Sequence, residues 1–122
     1  MLTDAEVLDT LEAIVAEKGE DYVYPLSEMK NGSCQYQTYD EATGDWVATG
    51  PSCLIGHLII QAKLMDPEDL MMHEGAAAAD LLVGYMSDKA VRACAEAQKA
   101  QDDWDTWGVA LSEARTVLGY QV

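Results

Sequence analysis

The side chains best suited to chemistry in this chain are three cysteines and two histidines. Cys34, Cys53 and His57 would supply two thiolates and one imidazole, which are common ligands of tetrahedral zinc. His73 or Cys94 would complete such a set. The spacing matches no established zinc-finger pattern, because the chain lacks Cys-x-x-Cys. The competing interpretation makes the two cysteines small buried hydrophobic residues and His57 a core histidine, and on it we expect no metal and no cofactor.

A second chemistry is a nucleophilic cysteine at Cys53. A helix N-terminus lowers the pKa of a thiol, and His57 or His73 would act as its base. His57, however, follows one turn later on the same helix, and no third group is in place to orient it. The chain also lacks a paired-carboxylate motif, a Gly-rich phosphate loop and a dinucleotide fingerprint. The sequence therefore favours a protein that is not an enzyme.

A predicted β-hairpin would position the first two cysteines. The turn signal Ala42–Asp45 separates two β-prone runs. A two-residue or four-residue loop places Tyr39 opposite Ala48 and, further along, Cys34 opposite Cys53, which would allow a disulfide in an oxidising environment. A three-residue loop would shift the register by one residue and separate the thiols.

Helix signals cover most of the remaining chain. Thr3 and Glu6 form a capping box before an apolar stripe that ends at Gly19. Ser52 is placed to cap a buried apolar helix over residues 53–65. Further helical segments are expected at 66–72, 75–86, 88–101 and 107–118. Ser87 and Thr106 are placed to cap the last two. The sequence thus predicts one α+β domain over residues 1–122, in which about five helices pack around a small antiparallel β-hairpin or sheet.

The charge of the chain restricts the class of partner. There are 22 acidic and 7 basic residues, for a net charge of −15, and the acidic residues are spread over the whole chain. Direct binding to nucleic acid or to an anionic membrane is disfavoured, because phosphate binding needs clustered lysine and arginine. A protein partner with a basic surface fits better. The alternative is that the acidic surface only keeps a small protein soluble.

Compartment and assembly follow from the same composition. An odd number of irregularly spaced cysteines favours a reducing environment. The acidic N-terminus does not resemble a signal peptide, and no apolar run reaches the roughly 18 residues of a membrane span. The sequence therefore predicts a cytoplasmic protein without a membrane association. Nothing in it argues against a homodimer formed through the helical face.

Two segments have the composition of a protein-binding surface. Two tryptophans stand three residues apart among aspartates, which is typical of a binding hot spot if the rings are exposed. The alternative, favoured by how often tryptophan is buried, is that one or both rings pack into the core at a helix corner. A pair of methionines is either an adaptable contact or core filling. The candidate partner-binding residues are Trp104, Trp107, Asp102, Asp103, Asp105, Met71 and Met72.

Several short motifs resemble a group of small acidic proteins encoded by phages of actinobacteria and by their hosts. The resemblance covers about residues 5–118. The matching segments are Tyr22-Val-Tyr24, Gly32-Ser-Cys34-Gln-Tyr36, Pro51-Ser-Cys53-Leu-Ile-Gly56-His57, Glu74-Gly-Ala-Ala77, Gln98-Lys-Ala-Gln101-Asp102 and Trp107-Gly-Val-Ala110. The connection at 40–50 is long for the group. The resemblance implies a bacteriophage-type setting and a shared fold, and it implies no catalytic residues.

Together these observations predict a non-enzymatic accessory protein that binds a host or phage protein through an acidic surface with apolar anchors. A narrower version is a DNA mimic, whose carboxylates imitate phosphate spacing. The alternatives are a small zinc-stabilised domain that uses Cys34, Cys53 and His57, and a thiol enzyme that uses Cys53.

Overall fold

The computed structural model describes residues 1–24, 29–30, 33–34, 37–48, 53–73 and 78–119. The helices in these ranges are α1 (Asp4–Lys18), α2 (Leu54–Gln61), α3 (Pro67–Met71), α4 (Ala78–Leu82), α5 (Asp88–Asp102) and α6 (Trp107–Leu118). The strands are β1 (Met29–Lys30), β2 (Ser33–Cys34), β3 (Gln37–Asp40) and β4 (Asp45–Ala48). Among the helices of these ranges, none is both long and apolar enough to cross a bilayer.

The fold is mostly helical, so the predicted α+β architecture with helices around a hairpin or sheet is wrong. The strands form two separate two-stranded antiparallel pairs, β1 with β2 and β3 with β4. Among the described residues, most of the buried core comes from α1, α2, α5 and α6, which pack on one another, and α3 and α4 add Leu70, Leu81 and Leu82. A pair of short strands buries too little apolar surface to form one layer of a core. Amphipathic helices, in contrast, gain stability by packing their apolar faces together.

The predicted register between the two β-prone runs is also wrong, by two residues. Tyr39 pairs with Trp46 instead of Ala48. Asp40 starts the turn earlier than expected, because its Oδ1 accepts a hydrogen bond from the backbone N–H of Ala42 at 2.9 Å. The N–H of Gly44, at φ 75°, donates to the carbonyl of Asp40 at 2.8 Å.

Cys34 consequently does not pair with Cys53. It lies in the separate strand β2, where its backbone partner is Met29. Its side chain lies outside the described part of the structure. The predicted pairing of the two thiols depended on one continuous ladder, and the chain forms two.

The first helix confirms the prediction made from its capping box. The Thr3 side chain accepts from the N–H of Glu6 at 3.1 Å, and the Glu6 carboxylate accepts from the N–H of Thr3 at 3.0 Å. The predicted apolar stripe is buried, and the helix ends before Gly19, which has φ 101°. The buried residues are Val7, Leu8, Leu11, Ile14 and Val15.

Helix α2 starts and ends differently from the prediction. Ser52 lies outside the described residues, and the N-cap is Cys53, whose Sγ accepts from the N–H of Gly56 at 3.4 Å. The helix stops at Gln61 instead of residue 65, because Lys63 adopts φ 59° and turns the chain away. The predicted caps Ser87 and Thr106 are confirmed, and Asp66 caps the short helix α3.

Candidate protein-binding site

The turn between α5 and α6 has a defined backbone geometry. The N–H of Trp104 donates to the carbonyl of Gln101 and the N–H of Asp105 donates to the carbonyl of Ala100, both at 3.0 Å. This hydrogen-bond pair is a Schellman motif, in which the left-handed residue is usually glycine. Here that residue is Trp104, at φ 67°. A side chain in this conformation costs about 1–2 kcal/mol, so the chain holds an indole at a position that favours glycine.

The two tryptophans of this segment have opposite environments. Trp104 is 62% exposed, whereas Trp107 is fully buried. The Trp107 ring lies 4.6 Å from the Tyr22 ring and 5.9 Å from the His57 ring, measured between centroids. Its Nε1 is buried and meets no hydrogen-bond acceptor among the residues described. From the sequence, the burial of both rings was open. The structure buries Trp107 and exposes Trp104.

The buried position of Trp107 depends on a close backbone approach. Its N–H donates to the carbonyl of Tyr22 at 2.8 Å, and the N–H of Gly108 donates to the carbonyl of Glu20 at 2.9 Å. A Cβ on Gly108 would lie 2.9 Å from that same Glu20 oxygen. The glycine therefore lets the start of α6 dock on the segment after α1, and the docking carries Trp107 inward.

An acidic groove lies between α5 and α6, and we call it the α5–α6 groove. Its volume is about 220 Å³. Four carboxylates and a single ammonium group line it. Asp103 and Asp105, the sequence neighbours of Trp104, are both part of the lining and both exposed. The lining residues are Glu96, Lys99, Ala100, Asp103, Asp105 and Glu113.

The groove carboxylates are too dispersed to chelate a metal ion. Across the described ranges, no three or more His, Cys, Asp or Glu side chains converge as metal ligands would. The groove therefore offers a diffuse negative potential, which suits a larger cationic group better than a bare divalent ion.

Asp102 is turned away from this groove and belongs to an internal hydrogen-bond network. Its Oδ1 accepts from Nε2 of Gln98 at 3.0 Å and from Nε2 of Gln101 at 3.1 Å. Burial raises the pKa of this carboxyl group, and the two amide donors oppose that shift. Of the three candidate partner-binding aspartates, Asp102 therefore belongs to the internal network, whereas Asp103 and Asp105 line the groove.

Gln101 connects this network to the start of α2, and sequence analysis missed its role. It is fully buried, and its Oε1 accepts from the N–H of Leu54 at 2.8 Å. That N–H is one of the donors at a helix N-terminus that lack an intrahelical acceptor. The available signal was that Gln101 continues the buried stripe of Cys94 and Ala97, where an amide needs a partner.

The cysteines and histidines do not form a chemical site among the described residues. Cys53 is fully buried as the cap of α2. Cys94 is fully buried beside the Met86 Sδ, 3.9 Å from its Sγ, and burial raises the pKa of the thiol to about 12. His73 is exposed in the turn after α3. His57 is partly buried, and desolvation, followed by the charge of Lys18, lowers its pKa.

A second exposed apolar area lies at α3 and β4, which contact each other. Met72 is 77% exposed and Met71 is partly buried. Trp46 of β4 is 53% exposed and was not among the candidate binding residues. Its exposure makes it a natural control for Trp104.

The motifs behind the phage-type resemblance meet one another in the tertiary structure. Gln101 binds the backbone of Leu54, and Trp107 contacts both Tyr22 and His57. These contacts join α2 to α5, to α6 and, through Trp107, to the segment after α1. Comparison with protein-family models, with curated proteins and with solved structures finds no match to the chain. The geometry of the chain itself therefore carries the functional argument.

Proposed function

We propose that this protein acts without catalysis, by binding a protein partner that presents a basic surface to the α5–α6 groove. The observation that carries the proposal is Trp104, which is 62% exposed and lies in sequence between Asp103 and Asp105, two of the residues that line the acidic groove. An exposed indole with acidic neighbours has the composition of an interface hot spot for a basic partner. Such a surface would select a basic partner and reject acidic ones.

The exposed ring has enough area to dominate an interface. A tryptophan buries about 150–250 Å² when covered, and more than half of this ring is still available. At about 25 cal/mol per Å², covering it contributes about 2–4 kcal/mol as an upper bound. Removing the ring should therefore weaken binding by about 30-fold, which corresponds to the lower figure of about 2 kcal/mol.

The setting that we propose is the one implied by the phage-type resemblance. The protein would act in the cytoplasm of an actinobacterial host, on a host or phage protein. If the partner normally binds DNA, the acidic surface would occupy its DNA site as a mimic. In that case binding should weaken steeply with salt and DNA should compete with the protein. Binding that is insensitive to salt would contradict the mimic.

The test is affinity capture from actinobacterial host lysate, with bound proteins identified by mass spectrometry. The wild-type chain is compared with Trp104→Ala and with the matched control Trp46→Ala, which removes an equally accessible indole from β4. A stoichiometric partner retained by wild type and Trp46→Ala but lost from Trp104→Ala would support the proposal. A partner lost equally from both variants, or no partner at all, would contradict it.

A further inference from the structure

The contact between α2 and α6 joins a titratable side chain to a buried indole. The His57 ring of α2 meets the Trp107 ring of α6 edge to face, with 5.9 Å between the centroids and 71° between the planes. We infer that this contact is a proton-operated joint, in which protonation of His57 moves the imidazole toward solvent, uncovers Trp107 and loosens the start of α6. We call it the His57–Trp107 joint, closed when His57 is neutral and packed.

Trp107 is buried without a hydrogen bond for its indole. The residue is fully buried, and its Nε1 meets no acceptor among the described residues. An unpaired buried donor opposes folding, and water would satisfy it if the ring were uncovered. The ring packs on Tyr22, at 4.6 Å between centroids, and on His57. Loss of the His57 contact therefore acts on a side chain whose own N–H already favours the open form.

The surroundings of His57 accept the neutral imidazole and oppose the imidazolium. The side chain is half-buried on a strongly apolar helix, and desolvation is the main reason why its pKa lies below the ordinary value. Helix α1 adds two opposed charges, because Lys18 disfavours the protonated form and Glu17 favours it. An imidazolium is better solvated by water, so the protonated ring gains by moving outward.

The other elements packed around this ring contribute mainly uncharged groups. The segment after α1 presents the Tyr22 ring, which lies 5.6 Å from the Lys18 ammonium group. Helix α5 contacts α2 through the uncharged Gln101, and the titratable group behind it is Asp102, bound to Gln101 at 3.1 Å. Among the described residues, Glu17 is thus the acid whose charge favours a proton on His57.

The joint should open as the pH falls. In the open form the solvated imidazole has about its ordinary pKa of 6.5, whereas the closed form has a lower pKa. The open form therefore binds the proton first, and the ratio of open to closed molecules rises as the pH falls through 6.5 toward the closed-form pKa. At pH 5 this rise is limited to about 30-fold, which is the ratio of protonated to neutral imidazole for a group with a pKa of about 6.5.

The experiment measures hydrogen exchange of the Trp107 indole N–H by NMR in the full chain. The wild type is compared with His57→Gln at each pH, which cancels the intrinsic pH dependence of exchange. The ratio of the wild-type rate to the variant rate should rise at least about fivefold between pH 7.5 and pH 5. His73→Gln, which removes the exposed second histidine, is the matched control and should behave as the wild type.

Two charge variants on α1 should tune the joint in opposite directions. Lys18→Met should raise the pKa of His57, read from its imidazole resonances, and reduce the acceleration of exchange at pH 5. Glu17→Gln should lower that pKa and increase the acceleration. These variants keep the imidazole, so they test the inference even if His57→Gln does not fold.

The outcomes separate a local joint from a loss of the whole fold. An exchange ratio that stays constant with pH would overturn the inference, as would charge variants that leave the acceleration unchanged. If backbone amides in the core of α1, such as that of Leu11, accelerate as much as the Trp107 indole, acid unfolds the whole chain and the local joint is refuted. No partner enters these measurements, so they stand apart from the binding function proposed for Trp104.

Discussion

The hydrogen bond between Gln101 and the start of α2 yields the sharpest test of the structure. Gln101→Met keeps most of the length and volume of the side chain and removes both its acceptor and its donor. The backbone N–H of Leu54, on a fully buried residue, then loses its partner. Asp102 loses one of the two amide donors that the structure gives it.

The magnitude follows from these two losses. A buried N–H without an acceptor costs about 1–3 kcal/mol. The bond to Asp102 adds roughly 0.5 kcal/mol, because that carboxylate is half-exposed and water replaces the donor. Methionine is easier to bury than glutamine, which offsets part of the loss. We expect the free energy of unfolding to fall by about 2 kcal/mol.

Urea denaturation followed by far-UV circular dichroism measures the change. Gln61→Met, at an exposed position on α2, is the matched control and should stay within about 0.5 kcal/mol of wild type. The pKa of Asp102, followed by NMR, should rise further in Gln101→Met, because the lost donor lowers it in the native chain. If Gln101→Met is as stable as Gln61→Met and the pKa of Asp102 does not move, the network contributes nothing and the reasoning is refuted.

Three other substitutions test separate features of the fold. Lys63→Gly should be more stable than Lys63→Ala by roughly 0.5–1 kcal/mol in urea denaturation. Glycine adopts the left-handed φ of 59° without strain, although it loses more chain entropy on folding. Equal stabilities of the two variants would contradict this. Gly108→Ala should lower the stability of the protein by about 1–3 kcal/mol in thermal denaturation, because the new Cβ would lie 2.9 Å from the Glu20 carbonyl oxygen. The control Val109→Ala should have a smaller effect. The pKa of His57 is lower in the folded protein than in the unfolded chain, so on acidification the unfolded chain binds the proton first. The contribution of neutral His57 to the free energy of unfolding is therefore complete above about pH 6.5. It is lost as the pH falls through about 6.5 toward the pKa of His57 in the folded protein. His57→Gln should flatten the stability profile between pH 7 and pH 5.5, and an unchanged slope would count against this assignment.

Features that depend on neighbours in sequence were predictable. The capping box at Thr3 and Glu6, the apolar stripe of α1 and the caps Ser87 and Thr106 all appear as expected. Each depends on hydrogen bonds or side-chain spacing within three or four residues, so local sequence contains the necessary information. Part of the groove lining was predictable for the same reason, since the composition of the segment indicated Asp103 and Asp105 as candidate binding residues.

Features that depend on a choice between similar local patterns were not predictable. The β-prone runs form strands. Whether these strands would form a layer of the core depended on how much apolar surface the helices could bury against one another. The strand register depended on one turn, where Asp40 accepts from Ala42 and shifts the pairing by two residues. The helix pattern indicates that Gln101 is buried, but it does not identify the hydrogen-bond partner, which is 47 residues away in the chain.

The sequence by itself determined the charge, the helix caps and the apolar faces, because these follow from residue type and short-range geometry. Only the tertiary structure decided which tryptophan faces solvent. Trp104 and Trp107 have similar neighbours, but Gly108 lets α6 approach the Glu20 carbonyl and draws Trp107 into the core, while the Schellman turn projects Trp104 outward. The exposure of Trp104 therefore depends on a local turn, whereas the burial of Trp107 depends on two backbone contacts distant in sequence, which no local pattern predicts.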